Sequence, residues 1–534
     1  MVKIHRRRKQ HQSNLETQHI PYGSRDVITS FQNAKETMKQ KNFQLYEPYQ
    51  SKGVNWMIDM EKGKHPIKGG LLCDEPGLGK TIQTIGTMVG NPVKRTLIIV
   101  PTSLINQWKQ ALEQVFDQLV IKHHGPSRAK NIRKLLENDP IAVVTSHSLV
   151  YKPSKDGRFE TTILHDVEWD RVVVDESHYM KNHRTHKAKG IKAIRAKYRW
   201  ALTGTPVQNI VDDLVSQFIY LHYPGNDLRL KIRDFRDNPQ NHEFNKYILR
   251  RTKPMVEKFN SKLKLPSLTV NIAYADFQSE EERQFYQKVQ NNVREEFQNL
   301  MINSNNSGTQ MVALFELLLR LRQAIIHPQL LLNGYARKFD EDYGTWEGSS
   351  SKLELLKNMI SKHPDEKSLI FCQFTQEIDL ISAHLSKLGH TVRKIDGRMS
   401  LNERCQVIEE CNQNDEHKVD ILLIQIKSGG VGLNLQMFSR VYITSPDWNP
   451  SNELQAMARA HRIGQKKPVV VQKIILVDRS TGKLTIDEKI LSIQNRKRGM
   501  MADILSDPTL RSNGIMTSKS LNKLSIEQIK MLLS

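Results

Sequence analysis

One short segment of the sequence has the residue types and the spacing needed to hold the phosphates of a nucleotide. Asp74–Thr81 (DEPGLGKT) follows the apolar pair Leu71-Leu72 and precedes a helical pattern. Glycines let backbone N–H groups approach phosphate oxygens, and a helix N-terminus favours negative charge. In such a loop Lys80 reaches the β- and γ-phosphates, and Thr81 binds Mg²⁺. The segment is therefore predicted to be a phosphate-binding loop, although the strict pattern has glycine where Asp74 stands.

Two adjacent carboxylates end an apolar run further along the chain. Val172–Val174 leads directly into Asp175 and Glu176. At the end of a strand Asp175 can hold Mg²⁺, and Glu176 can orient or deprotonate an attacking water. Asp-Glu after a strand is usually just the start of a helix. The spacing from Lys80 suits two motifs on one sheet and favours the catalytic interpretation.

A third segment combines a strand pattern with a polar turn. Ala201–Asn209 (ALTGTPVQN) begins with apolar residues and continues into Thr, Gly and Pro. It is either an ordinary hairpin or loop, or a sensor that couples the nucleotide pocket to nucleic acid.

A parallel sheet must position these segments, because short β-branched runs alternate with helical stretches. Residues 275–330 are predicted to be mostly helical, with a loop at 303–308. The expected fold class is α/β, with two parallel-sheet units and a helical insertion between them. The strand candidates are Leu97–Val100, Ile141–Thr145, Arg171–Val174 and Trp200–Thr203, then Ser368–Cys372, Thr391–Ile395, Val419–Ile424, Arg440–Ile443 and Val469–Leu476.

Length and charge narrow the class of protein. The chain has 534 residues, whereas single cores stop growing near ~250–300 residues. A net charge of +22 suits a polyanion, nucleic acid first and an anionic membrane surface second. No apolar run approaches the ~20 residues of a membrane helix, and no apolar segment follows the basic N-terminus, so we expect an intracellular protein. The four cysteines lack a zinc-binding pattern.

Taken together, the motifs resemble those of the Swi/Snf-type DNA-translocating ATPases, which are superfamily-two motors. The resemblance extends from about residue 43 to about residue 502. The stretch Gln455–Gln465 (QAMARAHRIGQ) separates this family from most other helicases. The other matching segments are Leu45–Gln50, Leu97–Trp108, Asp175–His178, Leu202–Asn209, Leu249–Lys253, Arg322–Pro328, Lys367–Phe374, Lys427–Leu435, Ser445–Pro450 and Thr485–Ile490.

The resemblance implies two RecA-like lobes that bind ATP and Mg²⁺ in the cleft between them. It implies these catalytic residues: Lys80, Asp175, Glu176, Arg459 and Arg462. It implies these nucleotide-binding residues, with Gln50 reading the adenine edge: Gln50, Asp74, Gly77, Leu78, Gly79, Lys80, Thr81 and Gly432. The implied ligands of Mg²⁺ are Thr81 and Asp175. The implied nucleic-acid contacts are Thr102, Ser103, Lys427, Ser428, Gly429 and Trp448.

Arg459 and Arg462 are three residues apart on a helical pattern, so both are expected on one helix face. If that face closes on the phosphates of the first unit, they act as arginine fingers; otherwise they are a solvated surface. The sequence also departs from the family pattern at three places. Pro76 replaces a methionine, Ser177 stands where alanine or glycine is common, and Ile426 replaces a threonine near a predicted DNA contact.

These expectations divide the chain into five segments. They are a flexible basic arm (1–40), the first lobe (41–255), a linker with a helical insertion (256–345), the second lobe (346–500) and a C-terminal helical tail (501–534).

The expected function is ATP-driven translocation on double-stranded DNA, displacing or remodelling protein–DNA complexes in chromatin, repair, transcription or a viral genome. The alternatives are a strand-separating helicase on DNA or RNA and an inactive nucleic-acid-binding scaffold. The expected location is the nucleus of a eukaryote, or otherwise the cytoplasm, nucleoid or viral compartment, and the oligomeric state stays open.

Overall fold

The computed structural model contains two α/β units, each built around its own parallel sheet. The first comprises the described residues of Met1–Gly204, Leu214–Lys231 and Glu243–Lys262, and the second comprises those of Thr205–Asp213, Ile232–His242 and Leu263–Ser534. The structure describes residues 24–126, 128, 132–153, 159–207, 213–225, 227–237, 242–259, 265–303, 307–413, 419–429, 433–504 and 532.

Strands and helices alternate along the first part of the chain, as the sequence predicts. The seven strands of its main sheet lie in the order β3-β4-β2-β7-β8-β1-β9 and are all parallel, while β5 and β6 form an antiparallel pair. The elements are α1 (Arg25–Gln40), α2 (Tyr49–Lys62), β1 (Gly69–Leu72), α3 (Lys80–Gly90), β2 (Thr96–Val100), α4 (Ile105–Val115), β3 (Val120–His123), α5 (Ile132–Leu136), β4 (Ala142–Ser146), β5 (Lys152–Pro153), β6 (Phe159–Glu160), β7 (Trp169–Asp175), α6 (His186–Ala193), β8 (Ala196–Leu202), α7 (Asp213–Tyr220), α8 (Leu228–Asp237), β9 (Ile248–Leu249) and α9 (Lys253–Phe259).

The prediction of a flexible arm over residues 1–40 is wrong for its last part. Residues 25–40 form α1, which buries Val27, Ser30, Ala34 and Met38 and packs on α2 and α3. These four residues follow the spacing of one helix face. Two of them are Ser and Ala, so the apolar signal of the face is weak. Residues 1–23, with the basic cluster, lie outside the described residues.

The second part of the chain forms a six-stranded parallel sheet in the order β10-β15-β14-β11-β13-β12. Apolar clusters cover both of its faces, which explains the near-continuous apolar runs of its central strands. Its elements are β10 (Leu268–Asp276), α10 (Glu280–Asn303), α11 (Ser307–Ile326), α12 (Pro328–Phe339), α13 (Ser351–Ser361), β11 (Ser368–Cys372), α14 (Thr375–Lys387), β12 (Val392–Ile395), α15 (Leu401–Asn412), β13 (Ile421–Gln425), α16 (Ile426–Gly429), β14 (Arg440–Ile443), α17 (Pro450–Ala460), β15 (Val469–Val477) and α18 (Ile486–Ile504).

The predicted fold class is confirmed, with two parallel-sheet units and a helical stretch between them. Helices α10, α11 and α12 supply that stretch, and their apolar residues join the core on one face of the second sheet. Strand β10 is a strand that the sequence analysis missed. Most of the predicted C-terminal tail, residues 501–534, lies outside the described residues. None of the described helices has both the length and the apolar character needed to cross a bilayer.

Candidate active site

The carboxyl ends of three neighbouring strands in the first sheet carry the predicted catalytic segments. Strand β8 lies between β1 and β7, and its last residue, Leu202, pairs with Leu72 on one side and Asp175 on the other. The loops that follow these strands therefore leave the sheet at the same level. Because all the strands are parallel, the phosphate-binding loop, the paired carboxylates and Thr203 gather at one edge.

The phosphate-binding loop has the backbone form that its glycines predict. Gly77 and Gly79 have φ values of 94° and 82°, which residues with a side chain adopt only with strain. Helix α3 starts at Lys80, so its N-terminus faces the loop. The Lys80 ammonium donates to the carbonyl oxygen of Asp74 at 2.8 Å. The loop thus combines backbone N–H groups and a fixed cation, the two features that an anionic phosphate requires.

Gln50 lies against this loop from helix α2. Its Nε2 donates to the carbonyl of Leu78 at 3.1 Å, and its Oε1 accepts from the backbone N–H of Tyr46 at 2.9 Å. A Cβ atom on Gly79 would come within 2.4 Å of the Gln50 amide nitrogen. Gln50 is therefore a support of the loop, and its predicted contact with adenine stays a prediction.

Asp74 stands where the strict pattern has glycine, and its fully buried carboxylate has its own partner in the first unit. Arg251 donates through Nε to Asp74 Oδ1 at 2.9 Å and forms a close ion pair through Nη2 with Oδ2. The Gln83 amide also donates to Asp74. Arg251 follows β9, so the pair ties the start of the loop to the neighbouring chain segment. Asp74 meets Lys80 through its backbone carbonyl only.

Asp175 is a buried carboxylate with a donor on each oxygen. Trp108 Nε1 donates to Oδ2 at 2.8 Å, and the backbone N–H of Glu176 donates to Oδ1 at 2.9 Å. Burial and the adjacent Glu176 carboxylate raise the pKa of Asp175 to about 6, while Trp108 and the Lys80 ammonium act in the opposite direction. Lys80 begins the helix after β1 and Asp175 ends β7, so the two predicted catalytic residues lie at the same edge of the sheet, on either side of β8.

His147 holds the same strand end from the other side. Its Nε2 lies 2.8 Å from the carbonyl oxygen of Asp175. Burial lowers the pKa of His147 to about 3, so the ring is neutral at physiological pH. A neutral His147 ring adds no positive charge beside the carboxylates at this edge of the sheet.

Glu176 is linked to the third predicted segment by a histidine. Its backbone is left-handed, with φ 49°, at the start of a 3₁₀ turn over Ser177–Met180. His178 Nδ1 lies 3.1 Å from Glu176 Oε2 and 3.3 Å from Thr203 Oγ1. The His178 side chain therefore links Glu176, the candidate base, to Thr203 at the end of strand β8.

The next residue, Gly204, touches the phosphate-binding loop. A Cβ atom on Gly204 would lie 2.6 Å from two ring carbons of Pro76. Pro76, one of the departures from the family pattern, thus packs against a residue that has to be small. Within the predicted sensor Ala201–Asn209, Thr203 is linked to Glu176 through His178 and Gly204 reaches the loop, while its last two residues lie outside the described residues.

The residues present fit a magnesium nucleotide. Mg²⁺ prefers oxygen ligands and commonly binds through one or two protein oxygens together with phosphate oxygens. Thr81, in the first turn of α3, carries a hydroxyl, and the raised pKa of Asp175 marks a desolvated carboxylate that a cation would stabilise. Thr81 and Asp175 are the residues that would hold Mg²⁺, and Lys80 with the loop amides would hold the phosphates.

The predicted nucleic-acid contacts of the first unit lie further along the same edge. Thr102 and Ser103 form a 3₁₀ turn directly after β2, which lies next to β7 in the sheet. Thr102 is exposed and Ser103 is half-buried. Both are therefore reachable by a ligand outside the protein.

In the second unit, one part of the arginine prediction is wrong. Helix α17 ends at Ala460, with His461 as its cap, so Arg459 lies in the last turn and Arg462 lies beyond it. The two arginines therefore do not share a helix face, contrary to the prediction from their three-residue spacing. Both side chains are half-buried, and burial lowers the pKa of the Arg462 guanidinium.

The glycine-rich segment of the second unit is described only in part. Lys427 is exposed in the short helix α16, which also contains Ser428 and Gly429. Gly432 lies outside the described residues. Ile426, the third departure from the family pattern, is buried in the apolar cluster beside β13. Its side chain has a packing role that a hydroxyl could not supply equally well.

Trp448 is more embedded than a free base-stacking residue. It packs against the apolar cluster of the second unit, and the Arg322 guanidinium lies over its ring at 5.3 Å from the centroid. Its carbonyl accepts from Lys497 Nζ at 3.0 Å. Arg322 also donates to the carbonyl of Pro446 at 3.1 Å, so the loop around Trp448 is braced. A nucleic-acid contact by Trp448 stays a prediction.

Two residues that hold the site were assigned no role from the sequence. Trp108 and Arg251 donate to Asp175 and Asp74, respectively. Both lie in segments that resemble family motifs, which is the signal that could have singled them out. Their partners are 67 and 177 positions away, beyond the reach of local periodicity.

Comparison with known proteins finds two family models that match successive parts of the chain. The family model described as "SNF2-related domain" matches residues 49–330, and the model described as "Helicase conserved C-terminal domain" matches residues 351–464. A solved structure, the Sulfolobus solfataricus SWI2/SNF2 ATPase core in complex with dsDNA, is 28% identical and covers 87% of this chain and 93% of its own, with a TM-score of 0.36.

Curated relatives come from cells and from a virus. The DNA repair protein RAD5B of Arabidopsis thaliana is 28% identical over 83% of this chain and 46% of its own length. The ISWI chromatin-remodeling complex ATPase ISW1 of Saccharomyces cerevisiae is 28% identical over 86% and 42%. The probable global transactivator of Orgyia pseudotsugata multicapsid polyhedrosis virus is 30% identical over 80% and 86%. The chain thus spans less than half the length of the two cellular relatives.

Proposed function

We propose, from the premise that this chain belongs to the SNF2-related family of helicase-like ATPases, that it is an ATP-driven translocase on double-stranded DNA. Its work would be to displace or remodel protein–DNA complexes. The family relatives include a DNA repair protein and a chromatin-remodeling ATPase, and a neighbour of known structure is titled as a complex with dsDNA. The net charge of +22 suits a polyanionic substrate.

One observation carries the proposal. The chain Glu176–His178–Thr203 connects the candidate base to strand β8 through contacts of 3.1 Å and 3.3 Å, and Gly204 then abuts the phosphate-binding loop at Pro76. A hydrolytic site has to place a base near the terminal phosphate. A passive phosphate-binding scaffold has no need for this connection.

Each site residue named in the first unit has a role in this scheme. Lys80 and the amides at the start of α3 bind phosphate oxygens, and Glu176 orients the attacking water and accepts its proton. Thr81 and Asp175 hold Mg²⁺, which supplies charge neutralisation when bound. Gln50 and Arg251 keep the loop in shape, since both donate directly to it or to its buried aspartate.

The second unit would supply the remaining positive charge. Arg459 and Arg462 act on the terminal phosphate as arginine fingers when the two units close on ATP. Burial has already removed part of the hydration of Arg462, and a desolvated guanidinium gains more from an anion than a hydrated one. ATP would favour the closed arrangement and its products the open one, so that one cycle shifts the units along the DNA.

The DNA contacts of this scheme are phosphate contacts, made by Thr102 and Ser103 of the first unit and by Lys427, Ser428 and Gly429 of the second. Such contacts carry no sequence information, so the enzyme should act on duplex of any sequence. A duplex substrate places the protein in a compartment that holds DNA: a nucleus, a bacterial nucleoid or a viral compartment.

The experiment that tests the proposal is an ATPase panel with duplex DNA, single-stranded DNA and RNA of equal length. We expect the strongest stimulation from duplex DNA and none in a Lys80→Ala control. A triplex-displacement assay on the same duplex should show removal of the third strand without separation of the duplex strands.

Three outcomes would overturn the proposal. Stimulation by RNA alone would identify a different motor. Release of a single strand from the duplex would identify a strand-separating helicase. Equal, slow hydrolysis by the wild type and by Lys80→Ala would identify an inactive scaffold.

A further inference from the structure

The buried indole of Trp108 donates its N–H to a candidate catalytic carboxylate. The side chain is only 1% exposed, and a buried indole N–H needs an acceptor. That acceptor is Oδ2 of Asp175 at 2.8 Å, the carboxylate that would hold Mg²⁺. Trp108 therefore contacts a candidate metal ligand without being able to contact a metal itself, because an indole has no acceptor.

Other buried tryptophans of the first unit satisfy their N–H differently. Trp169 donates to the carbonyl of Leu164 at 2.9 Å, and Trp56 donates to the carbonyl of Lys246 at 3.3 Å. Trp200 donates to Glu61, which is already paired with Arg171. A backbone carbonyl or a paired carboxylate would have accepted the Trp108 N–H equally well. Packing alone therefore does not explain why the acceptor is Asp175.

The helix that carries Trp108 begins where a ligand can reach it. The 3₁₀ turn Thr102–Leu104 runs directly into α4 at Ile105, and Thr102 is exposed. Trp108 lies one helical turn further, about 5 Å along the axis, on the buried face of α4 with Leu112. A displacement of the turn therefore moves the indole with it.

We propose that Trp108 is a positioning residue that couples duplex contact at Thr102 and Ser103 to the orientation of the Asp175 carboxylate. This inference rests on the proposed function, and it adds a route by which DNA stimulates ATP hydrolysis. The indole on Oδ2 and the Glu176 N–H on Oδ1 fix the rotation of the carboxylate. Losing such an outer hydrogen bond typically weakens metal binding about 10–100-fold.

The coupling also works in the other direction. If duplex DNA strengthens the binding of a magnesium nucleotide through α4, the nucleotide must strengthen duplex binding by the same factor. Substituting Trp108 would remove this coupling while the duplex and the magnesium nucleotide keep their direct contacts with the protein.

The test compares Trp108→Phe with Trp169→Phe. Each substitution removes a buried indole N–H from the first unit, but only the former removes the contact with Asp175. The dissociation constant of a fluorescent, non-hydrolysable ATP analogue is measured with Mg²⁺ or EDTA and with or without duplex DNA. For Trp108→Phe we expect a loss of roughly 10-fold in the Mg²⁺-dependent gain in affinity and loss of the duplex effect; Trp169→Phe should keep both.

A second variant separates positioning from packing. Trp108→His keeps a ring N–H but fills the cavity less well than Phe. It should keep more of the Mg²⁺-dependent affinity than Trp108→Phe, whereas a packing role predicts the reverse. Wild-type behaviour of Trp108→Phe, or weaker Mg²⁺ dependence in Trp108→His than in Trp108→Phe, would overturn the inference.

The wild-type ATPase distinguishes this failure from failure of the proposed function. If duplex DNA stimulates the wild type and Trp108→Phe to the same extent, only the coupling role is wrong. If duplex DNA fails to stimulate the wild type at all, the translocase proposal and this inference both fail.

Discussion

The two units hold their predicted site residues in different ways. In the first, Lys80, Asp175 and Glu176 each contact another residue of that unit. In the second, Arg462 lies beyond the end of a helix and Lys427 is exposed. The candidate site residues of the first unit are therefore held by contacts within that unit, whereas Lys427 and Arg462 of the second are open, fully or in part, to a ligand. Nucleotide binding should therefore depend mainly on the first unit, whereas hydrolysis should depend on groups of both units.

Arg462→Ala is expected to have the largest effect among the variants that test this difference between the two units. An arginine finger contributes roughly 10³–10⁵-fold to the rate, so kcat should fall by about 10³-fold or more while nucleotide affinity stays unchanged. Single-turnover hydrolysis and nucleotide titration measure the two quantities. The matched control is Arg393→Ala, which removes a surface guanidinium paired with Glu410 in the same unit and should leave kcat intact. A variant that loses affinity in step with rate would place Arg462 in the binding pocket itself.

Glu176→Gln probes the first unit at its chemical step. Loss of a general base costs about 10²–10⁴-fold in rate, and the amide keeps the shape of the side chain. We expect this loss in kcat with nucleotide binding preserved, as measured by steady-state ATPase and titration. Near-normal turnover would mean that another group activates the water.

Thr203→Val should have a smaller effect of a different kind. It removes the hydroxyl that lies 3.3 Å from His178 and so cuts the connection from Glu176 to strand β8. One hydrogen bond contributes about 0.5–1.5 kcal/mol, so DNA-stimulated ATPase should fall roughly 2–10-fold. Thr145→Val is the matched control, because the buried Thr145 hydroxyl donates only to the carbonyl of His123. An equal effect in both variants would reduce the connection to general packing.

Sequence alone predicted that the motifs of the candidate site lie together, because each motif follows a strand. An apolar run followed by Asp175 and Glu176 identifies both the strand and its carboxyl edge, and parallel strands bring such edges together. The same reasoning placed the phosphate-binding loop after β1. The fold class, and the shared sheet edge at which these motifs lie, therefore followed from local patterns.

The parts that sequence missed depend on tertiary contacts or on where an element ends. Arg251 reaches Asp74 across 177 positions, which no periodic pattern encodes. Arg462 was predicted to be helical, but α17 stops at Ala460, and Gly464, which follows Arg462 and Ile463, has φ 101°. In α1 the buried positions include Ser30 and Ala34, so a packed helix resembled a polar arm.

The salt dependence of duplex binding tests the central claim, that this ATPase grips double-stranded DNA through its phosphates. The measurement is the duplex concentration that half-saturates ATPase stimulation, across a range of monovalent salt. If basic residues contributing to the net charge of +22 neutralise roughly 6–10 phosphates, the log–log slope of the apparent binding constant is near −5 to −9. A slope in that range supports the account, and an affinity that does not change with salt contradicts it.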